Sequence, residues 1–266
     1  MSETISSEAL KAARGYETLF VPALFGVWTK NLIEAAKVQP GQTVLDVACG
    51  TGVLTRDVSA ELGAAGSVTG LDPAPGMLAA AQEIAPDIAW VSGHAEDLPF
   101  PDHSFDVVLC QFGMMFFQDR EKACAEMLRI LKPGGALAVS VWNSTEHNPA
   151  YKALISLMES EVSEAAASAV SLPFSLGDPD IVTGVLNESG FVDVSVSTLS
   201  ETARFPSTRT MVEAELRGWL PLFDIHLSDP EIARVLSASD PVLAAYAVSG
   251  EAVFATSAHV ISARRA

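Results

Sequence analysis

Basic residues are scarce in this chain of 266 residues: 16 Lys and Arg stand against 33 Asp and Glu, a formal charge of −17. Nucleic-acid binders need a basic stripe that releases counterions from phosphates, so DNA, rRNA and tRNA are poor partners for such a surface. Cysteine is almost absent too. Cys49, Cys110 and Cys124 are an odd count with neither a CxxC pair nor a metal-ligand spacing, which reads as small, reduced, buried thiols. No group of carboxylates or histidines is spaced for a catalytic metal, so none is expected. The chain also lacks a run of about 18 apolar residues that would span a bilayer. Its opening, MSETISSEAL, is acidic and without the basic-then-apolar order of an export signal, so a cytoplasmic protein is expected. With 49% hydrophobic residues the chain can nevertheless bury a substantial core as one large domain, or as one domain with a cap.

The informative stretch is TVLDVACGTGV, residues 43–53. Apolar and β-branched residues surround a lone Asp46, and the small residues Ala48-Cys49-Gly50-Thr51-Gly52 follow before a helical pattern begins. That order is strand, tight turn, helix. Side chains at positions 48, 50 and 52 would block a flat ligand, so small residues there suit a nucleoside-like molecule. The dinucleotide fingerprint also places a glycine turn between strand and helix, where it binds a pyrophosphate. Asp46 argues against that ligand. A carboxylate just before the turn repels a diphosphate but suits a molecule carrying an ammonium and a sulfonium, and S-adenosylmethionine carries both.

Strand and helix signals then alternate, which implies a parallel sheet. Strands are expected at 43–48, 67–71, 88–91, 105–111 and 136–142, with helices at 52–62 and 121–131. Asp72 ends the second strand, about 26 residues after Asp46, where an acid accepts hydrogen bonds from ribose hydroxyls. Ahead of the sheet, helices at 7–20 and 23–37 carry Tyr16, Phe20, Phe25 and Trp28 and are free to close over the strand ends as a flap. Beyond Trp142, helices are expected at 149–167 and 179–189 and an alternating strand at 192–198. A segment of about 45 polar and aromatic residues, with a helix at 230–246, then precedes a last strand at 252–263. That segment reads as a cap.

Four blocks in order, VLDVACGTGVLT, GLDPAPGML, GHAEDLPFPDHSFDVVLCQFGMMFF and EMLRILKPGGALAVSVW, resemble the class I S-adenosylmethionine-dependent methyltransferases, specifically the group that includes the ubiquinone and menaquinone biosynthesis C-methyltransferases. The resemblance covers about residues 40–142. It implies an α/β, doubly wound, mostly parallel seven-stranded sheet of order 3-2-1-4-5-7-6 with the last strand antiparallel. An N-terminal helical flap (1–40), a Rossmann-like core (41–205 and 249–266) and a helical cap (206–248) between strands six and seven complete the expected layout. Residue by residue it implies that Asp46, Ala48, Cys49, Gly50 and Gly52 surround the methionine and ribose parts of the cofactor. It likewise puts Asp72 on the ribose, Pro73 and Met77 against the adenine, Ala95 and Glu96 beside the ring, and Gln111 and Phe112 near the methionine end. Ala48 replaces the commoner first glycine, and His94 stands where many relatives have aspartate. Cys110-Gln111-Phe112-Gly113 lacks the Asn-Pro-Pro-Tyr or Asp-Pro-Pro-Tyr pattern of enzymes that methylate nucleic-acid amino groups.

The expected function is methyl transfer from S-adenosylmethionine to a small-molecule acceptor at oxygen, carbon, nitrogen or sulfur, leaving S-adenosylhomocysteine. A sulfonium is already an activated leaving group, so alignment in a dry cavity supplies most of the catalysis. A base near neutral pKa would help an acidic acceptor, and His147 and His226 are the candidates. Tyr16, Trp28, Trp142, Trp219 and Phe223 are expected to shape the acceptor pocket. A non-catalytic protein that senses S-adenosylmethionine or its product is the alternative, with a nicotinamide dehydrogenase a distant third. The sequence allows a homodimer without specifying one.

Overall fold

Eight strands of a computed structural model that describes residues 6–266 form one sheet. Residues 1–5, half of the opening read above for an export signal, lie outside the described residues. The strands are β1 (Thr43–Val47), β2 (Ser67–Asp72), β3 (Ala89–Ser92), β4 (Phe105–Gln111), β5 (Leu131–Trp142), β6 (Val192–Phe205), β7 (Ala247–Val248) and β8 (Glu251–Arg264). Their order is β3-β2-β1-β4-β5-β8-β6, with β7 paired to β8. The first five are parallel, and β8 runs antiparallel to both β5 and β6. Setting aside the two-residue β7, this is the expected order. β7 arises because Ser249 and Gly250 both take positive φ, 52° and 93°, the geometry of a two-residue hairpin turn.

Helices cover both faces, so alternate strand residues belong to different cores. Val44, Val107, Leu109 and Ala138 pack with Leu54, Val58 and Leu62 of α3 (Val53–Leu62) and with Leu32 of α2 (Thr29–Ala36). Leu45, Val47, Val108, Cys110 and Val139 face the larger core, with Met127 of α5 (Arg120–Ile130). Among the described residues no helix is long and apolar enough to cross a membrane.

β5, expected from 136, instead begins at Leu131, which pairs with Phe105, and three further boundaries move for identifiable reasons. The helix expected at 23–37 is a π turn (Val21–Phe25) and a 3-10 turn (Gly26–Trp28) before α2, because Pro22 lacks an N–H and Gly26 is a weak helix former. The helix expected at 149–167 divides into α6 (Pro149–Glu161) and α7 (Glu164–Ser171), since the Ser163 side chain accepts from the Ala166 N–H and starts a new helix, while the one expected at 179–189 is α8 (Pro179–Glu188). β6 runs seven residues beyond the expected 198, through Ala203 and Phe205, which are buried under the segment that follows. Phe205 lies parallel to Phe254 of β8 at 6.2 Å and edge-on to Phe20 of α1 (Ser7–Phe20) at 6.1 Å. That segment holds α9 (Thr208–Ala214), a π turn (Glu215–Trp219), a 3-10 turn (Leu220–Phe223) and α10 (Asp229–Leu243). α9 packs on α1, and α10 on α6.

Gly52 illustrates a constraint set inside the fold rather than by a ligand. Its φ is +85°, and a Cβ there would lie 2.2 Å from the Trp90 indole, which also lies over Gly70. Trp90 Nε1 in turn donates to the Ala85 carbonyl at 2.9 Å, so the ring is pinned. Gly52→Ala is therefore expected to cost roughly 2–4 kcal/mol in urea unfolding, the sum of left-handed backbone strain and overpacking. In a Trp90→Ala background the same change is expected to cost only about 1–2 kcal/mol, the backbone part alone. Equal costs in both backgrounds would remove the indole from the account.

Candidate active site

The ends of β1, β2, β4 and β5 open into a cavity of about 240 Å³. Two strained residues mark its rim. Ala48 after β1 and Phe112 after β4 take φ of 57° and 53°, left-handed values that cost non-glycine residues energy and that cluster at functional sites. The two turns press together, for a Cβ on Gly113 would meet the Ala48 Cβ at 2.6 Å. Gly50, φ +57°, instead faces open space, with nothing within 4 Å of where its Cβ would be. A backbone bared to a cavity in this way is one that a flat ligand can approach closely.

Two carboxyls order this end. Asp72 accepts from the Gly50 N–H and from the Ala74 N–H, each at 2.8 Å, and so ties the turn after β1 to the start of α4 (Pro75–Ile84). Burial raises its pKa against these two bonds, and each oxygen keeps lone-pair capacity for a ligand hydroxyl. Asp46 is 1% exposed and accepts from Thr55 Oγ1 at 2.6 Å through Oδ2. Its Oδ1 is buried with no partner. Burial, opposed by the Thr55 bond and reinforced by the charge of Asp72, pushes Asp46 up to about 7. A buried carboxyl oxygen without a donor is costly and invites a cationic or hydrogen-donating ligand.

The remainder of the cavity is a chamber of rings. Phe112 stacks on Trp142 with centroids 3.9 Å apart and planes 5° from parallel, and Phe25 and Phe174 lean on the same indole at 6.1 and 6.2 Å. Tyr16 and Phe25 come from the N-terminal helices, Tyr151 and Phe174 from the stretch between β5 and β6, and Glu215 and Trp219 from the π turn beyond β6. Among the described residues no Lys, Arg or His lines the cavity. Its ionisable groups are Asp46, Asp72, Glu215, Cys49, Tyr16 and Tyr151, and an anion would find no countercharge among them.

Most of the sequence-derived site residues converge here: Asp46, Ala48, Cys49, Gly50, Asp72, Met77, Gln111, Phe112, Tyr16, Trp142 and Trp219 all line the cavity. Others do not. Gly52 sits behind the turn under Trp90, and Pro73 is exposed while its neighbour Ala74 lines the wall. Glu96 Oε1 accepts from the backbone N–H groups of Gln118 and Asp119 at 2.8 and 3.4 Å, so its carboxylate fastens the approach to α5; Ala95 beside it is buried in the core. Trp28 stands one layer back, edge-on to Phe112 and Trp142 at 5.8 Å each. Phe223 touches Trp219 from outside at 5.3 Å. Neither histidine put forward as a base lies on the cavity. His147 is exposed on a separate shallow groove, hydrogen-bonded to Ser144 Oγ at 3.1 Å, and His226 is exposed after the 3-10 turn. The three cysteines are buried and unpaired, their thiols raised by burial, Cys124 to about 12.

Glu215 and Tyr151 escaped the sequence reading. The Tyr151 hydroxyl donates to Glu215 Oε1 at 3.3 Å, and burial raises Glu215 to about 8 and Tyr151 well above its ordinary value. The available signal was slight: two acids, Glu213 and Glu215, in the run Met211-Val212-Glu213-Ala214-Glu215-Leu216 with one basic residue, Arg217, close after them.

Known proteins resemble this chain in sequence and in fold. A methyltransferase-domain family profile matches residues 45–139. The chain is 33% identical over 196 residues to the ubiquinone/menaquinone biosynthesis C-methyltransferase UbiE of Shewanella halifaxensis, covering 66% of this chain and 78% of that protein. It is 41% identical over 122 residues to the demethylmenaquinone methyltransferase of Renibacterium salmoninarum, covering 46% and 50%. Among solved structures, Haemonchus contortus phosphoethanolamine N-methyltransferase 2, in complex with S-adenosyl-L-methionine, superposes with a TM-score of 0.60 at 20% identity, covering 96% of this chain and 57% of that one. A SAM-dependent methyltransferase from Aquifex aeolicus gives 0.56 at 14%, covering 97% and 98%. Sheet order, strained strand-end turns and sequence identity lead to one assignment: the chain belongs to the S-adenosylmethionine-dependent methyltransferases, in the group of the ubiquinone and menaquinone biosynthesis C-methyltransferases.

Proposed function

We propose that this enzyme methylates a small, uncharged aromatic molecule held in the ring-lined chamber. The observation that carries the reading is one continuous cavity with an acidic, backbone-bared end, an aromatic end and, among the described residues, no cationic side chain on its walls. Two features fit the adenosyl donor. Asp46 Oδ1 is orphaned in a buried site, which suits the donor's ammonium, and the space over Gly50 admits a flat ligand against the backbone. Asp72 then takes the ribose hydroxyls, Ala74 and Met77 run along the adenine, and the unpartnered Gln111 Oε1 accepts from the methionine end. When bound, S-adenosylmethionine supplies a methyl group on a positively charged sulfur.

The chain's own task is alignment and exclusion of water. Phe112 and Trp142 present a flat double wall on which an aromatic acceptor stacks, and offset or edge-on ring contacts are each worth about 0.5–1.5 kcal/mol beyond burial. Residues 6–40 act as the flap and 206–248 as the cap, since Tyr16 and Phe25 on one side and Glu215 and Trp219 on the other close the chamber. Holding two reactants in line is worth up to roughly 7–11 kcal/mol in favourable cases. Carbon methylation of a quinone-type ring is the form the named relatives support, and an acceptor bearing phosphate or carboxylate is disfavoured by the acidic walls.

Incubation with methyl-labelled S-adenosylmethionine and a panel of acceptors checks this. Label is expected in hydroxylated naphthalenes and benzenes and absent from phosphoethanolamine. Donor binding without turnover across the panel would instead favour a sensor. Asp72→Ala is expected to weaken donor binding at least about tenfold by calorimetry, since both the ribose contact and the anchor of the Gly50 turn are lost.

Asp46 also makes stability depend on pH. Its folded pKa of about 7 lies above its ordinary 3.8, so between these values the folded chain holds a proton that the unfolded chain has released. Its contribution to stability is therefore greatest below pH 4 and is lost as pH rises through about 7. Asp46→Asn has no such loss. The melting temperature of the variant minus that of the wild type is expected to increase from pH 5 to pH 8, and saturating donor, which pairs the carboxylate, should narrow the gap. A difference that is flat or falls with pH would contradict the assignment.

A further inference from the structure

One buried carboxyl in the chamber has no task in the reading above. Glu215 is 4% exposed and lines the cavity from a π-helical turn, a local irregularity that often accompanies function. Among the described residues its side chain has one hydrogen bond, from the Tyr151 hydroxyl to Oε1, and Oε2 has no protein donor. Among the described residues no cation stands on the cavity wall. An acid kept in such a place raises the cost of folding, and a ligand group is what can offset it.

We propose that Glu215, oriented by Tyr151, binds the hydroxyl of a phenolic or enolic acceptor and takes its proton as the methyl group is transferred. This rests on the reading of the cavity as a donor site joined to an acceptor chamber. In the step, the bond between methyl carbon and sulfur breaks with its electron pair left on sulfur. The new bond joins that carbon to the acceptor's oxygen or to a ring carbon made nucleophilic by it, and the hydroxyl proton goes to the Glu215 carboxylate. Charge balances: a sulfonium and a carboxylate become a thioether and a carboxylic acid.

The surroundings of Glu215 favour a hydroxyl: it stands at the ring-lined end of the cavity, and its one partner is itself a hydroxyl, that of Tyr151. Held near 8, Glu215 is mostly a neutral acid at pH 7. A hydroxyl can donate to the ionised carboxyl or accept from the neutral one, whereas an ammonium can only donate and gains most from the ionised form. A base poised near 8 is also well matched to a phenol at neutral to mildly alkaline pH. The groups around it are few. Tyr151 faces it from α6, and Tyr16 of α1 lies close enough to raise Tyr151. Glu213 and Arg217, on α9 and the π turn, pair with each other at 2.8 Å away from the cavity, while Glu164 of α7 is exposed. Asp46 and Asp72 stand at the donor end.

The test uses the full chain loaded with S-adenosylhomocysteine and titrated calorimetrically with 1,3-dihydroxynaphthalene. Wild type is expected to bind the probe, Glu215→Gln to weaken it at least about tenfold and Tyr151→Phe by about threefold, with S-adenosylhomocysteine affinity within twofold in all three. With labelled donor and the same probe, wild-type kcat should rise with pH through about 8, following the Glu215 carboxyl. Glu215→Gln should lose about 10²- to 10⁴-fold and show a flatter profile. Unchanged probe affinity in Glu215→Gln, no probe binding by the loaded wild type, or tighter Glu215-dependent binding of naphthylmethylamine would each overturn the role of Glu215. Failure of the wild type to bind S-adenosylhomocysteine would instead strike the donor reading on which it rests.

Discussion

A single buried carboxylate sets the geometry on which the cavity depends. Asp72 receives the Gly50 N–H on one oxygen and the Ala74 N–H on the other, so the turn leaving β1 and the chain entering α4 are held at a fixed separation. In a low-dielectric setting such bonds to a charged acceptor are about twice as strong as neutral ones. They help to keep Ala48 and Gly50 in left-handed conformations that leave the Gly50 backbone bare. The second strained turn, at Phe112, is held in its turn by N–H bonds to the Ser140 carbonyl and hydroxyl at 3.1 and 3.2 Å.

The charge distribution of the cavity follows a consistent logic. Asp46, Asp72 and Glu215 are all buried, all raised in pKa by that burial, and none is paired with Lys or Arg. The surface solves the same problem differently: Arg129 binds Asp102 and Glu126, Lys132 binds Asp106, and Arg56 binds Glu17. Unpaired interior acids lower stability, and the orphaned Asp46 Oδ1 concentrates that deficit where a positively charged donor would relieve it. Glu215 lies farther along the same cavity, among its aromatic rings.

The acidic end of the cavity was legible because it is built from residues adjacent in sequence. The run from Asp46 to Gly52 and the acid at Asp72 carry their meaning in spacing, and the parallel sheet places both strand ends together. Even there the reason for a residue could differ from the one expected, as with Gly52, whose space is taken by Trp90 from a strand two places away. The ring-lined end was scarcely legible. It is assembled from α1, the stretch after β5 and the π turn after β6, none of which has a fixed spacing to the others. Histidine was the natural candidate for a base on ordinary pKa values alone, yet both imidazoles put forward lie in water while a glutamate is carried inside.

Apolar periodicity and the strand, turn and helix order at residues 43–53 were enough to determine the class of fold, Asp46 the preference for a cationic adenosyl ligand over a pyrophosphate, and the four sequence blocks, through the family they resemble, the strand order. These are properties of local pattern, where a few neighbouring residues dictate strand, turn and helix. Only the tertiary structure decided which carboxyls are buried, which lone pairs are orphaned and which rings meet. Those depend on desolvation and on contacts between segments as far apart in the chain as Tyr151 and Glu215, and burial by distant segments leaves no periodic trace in the sequence.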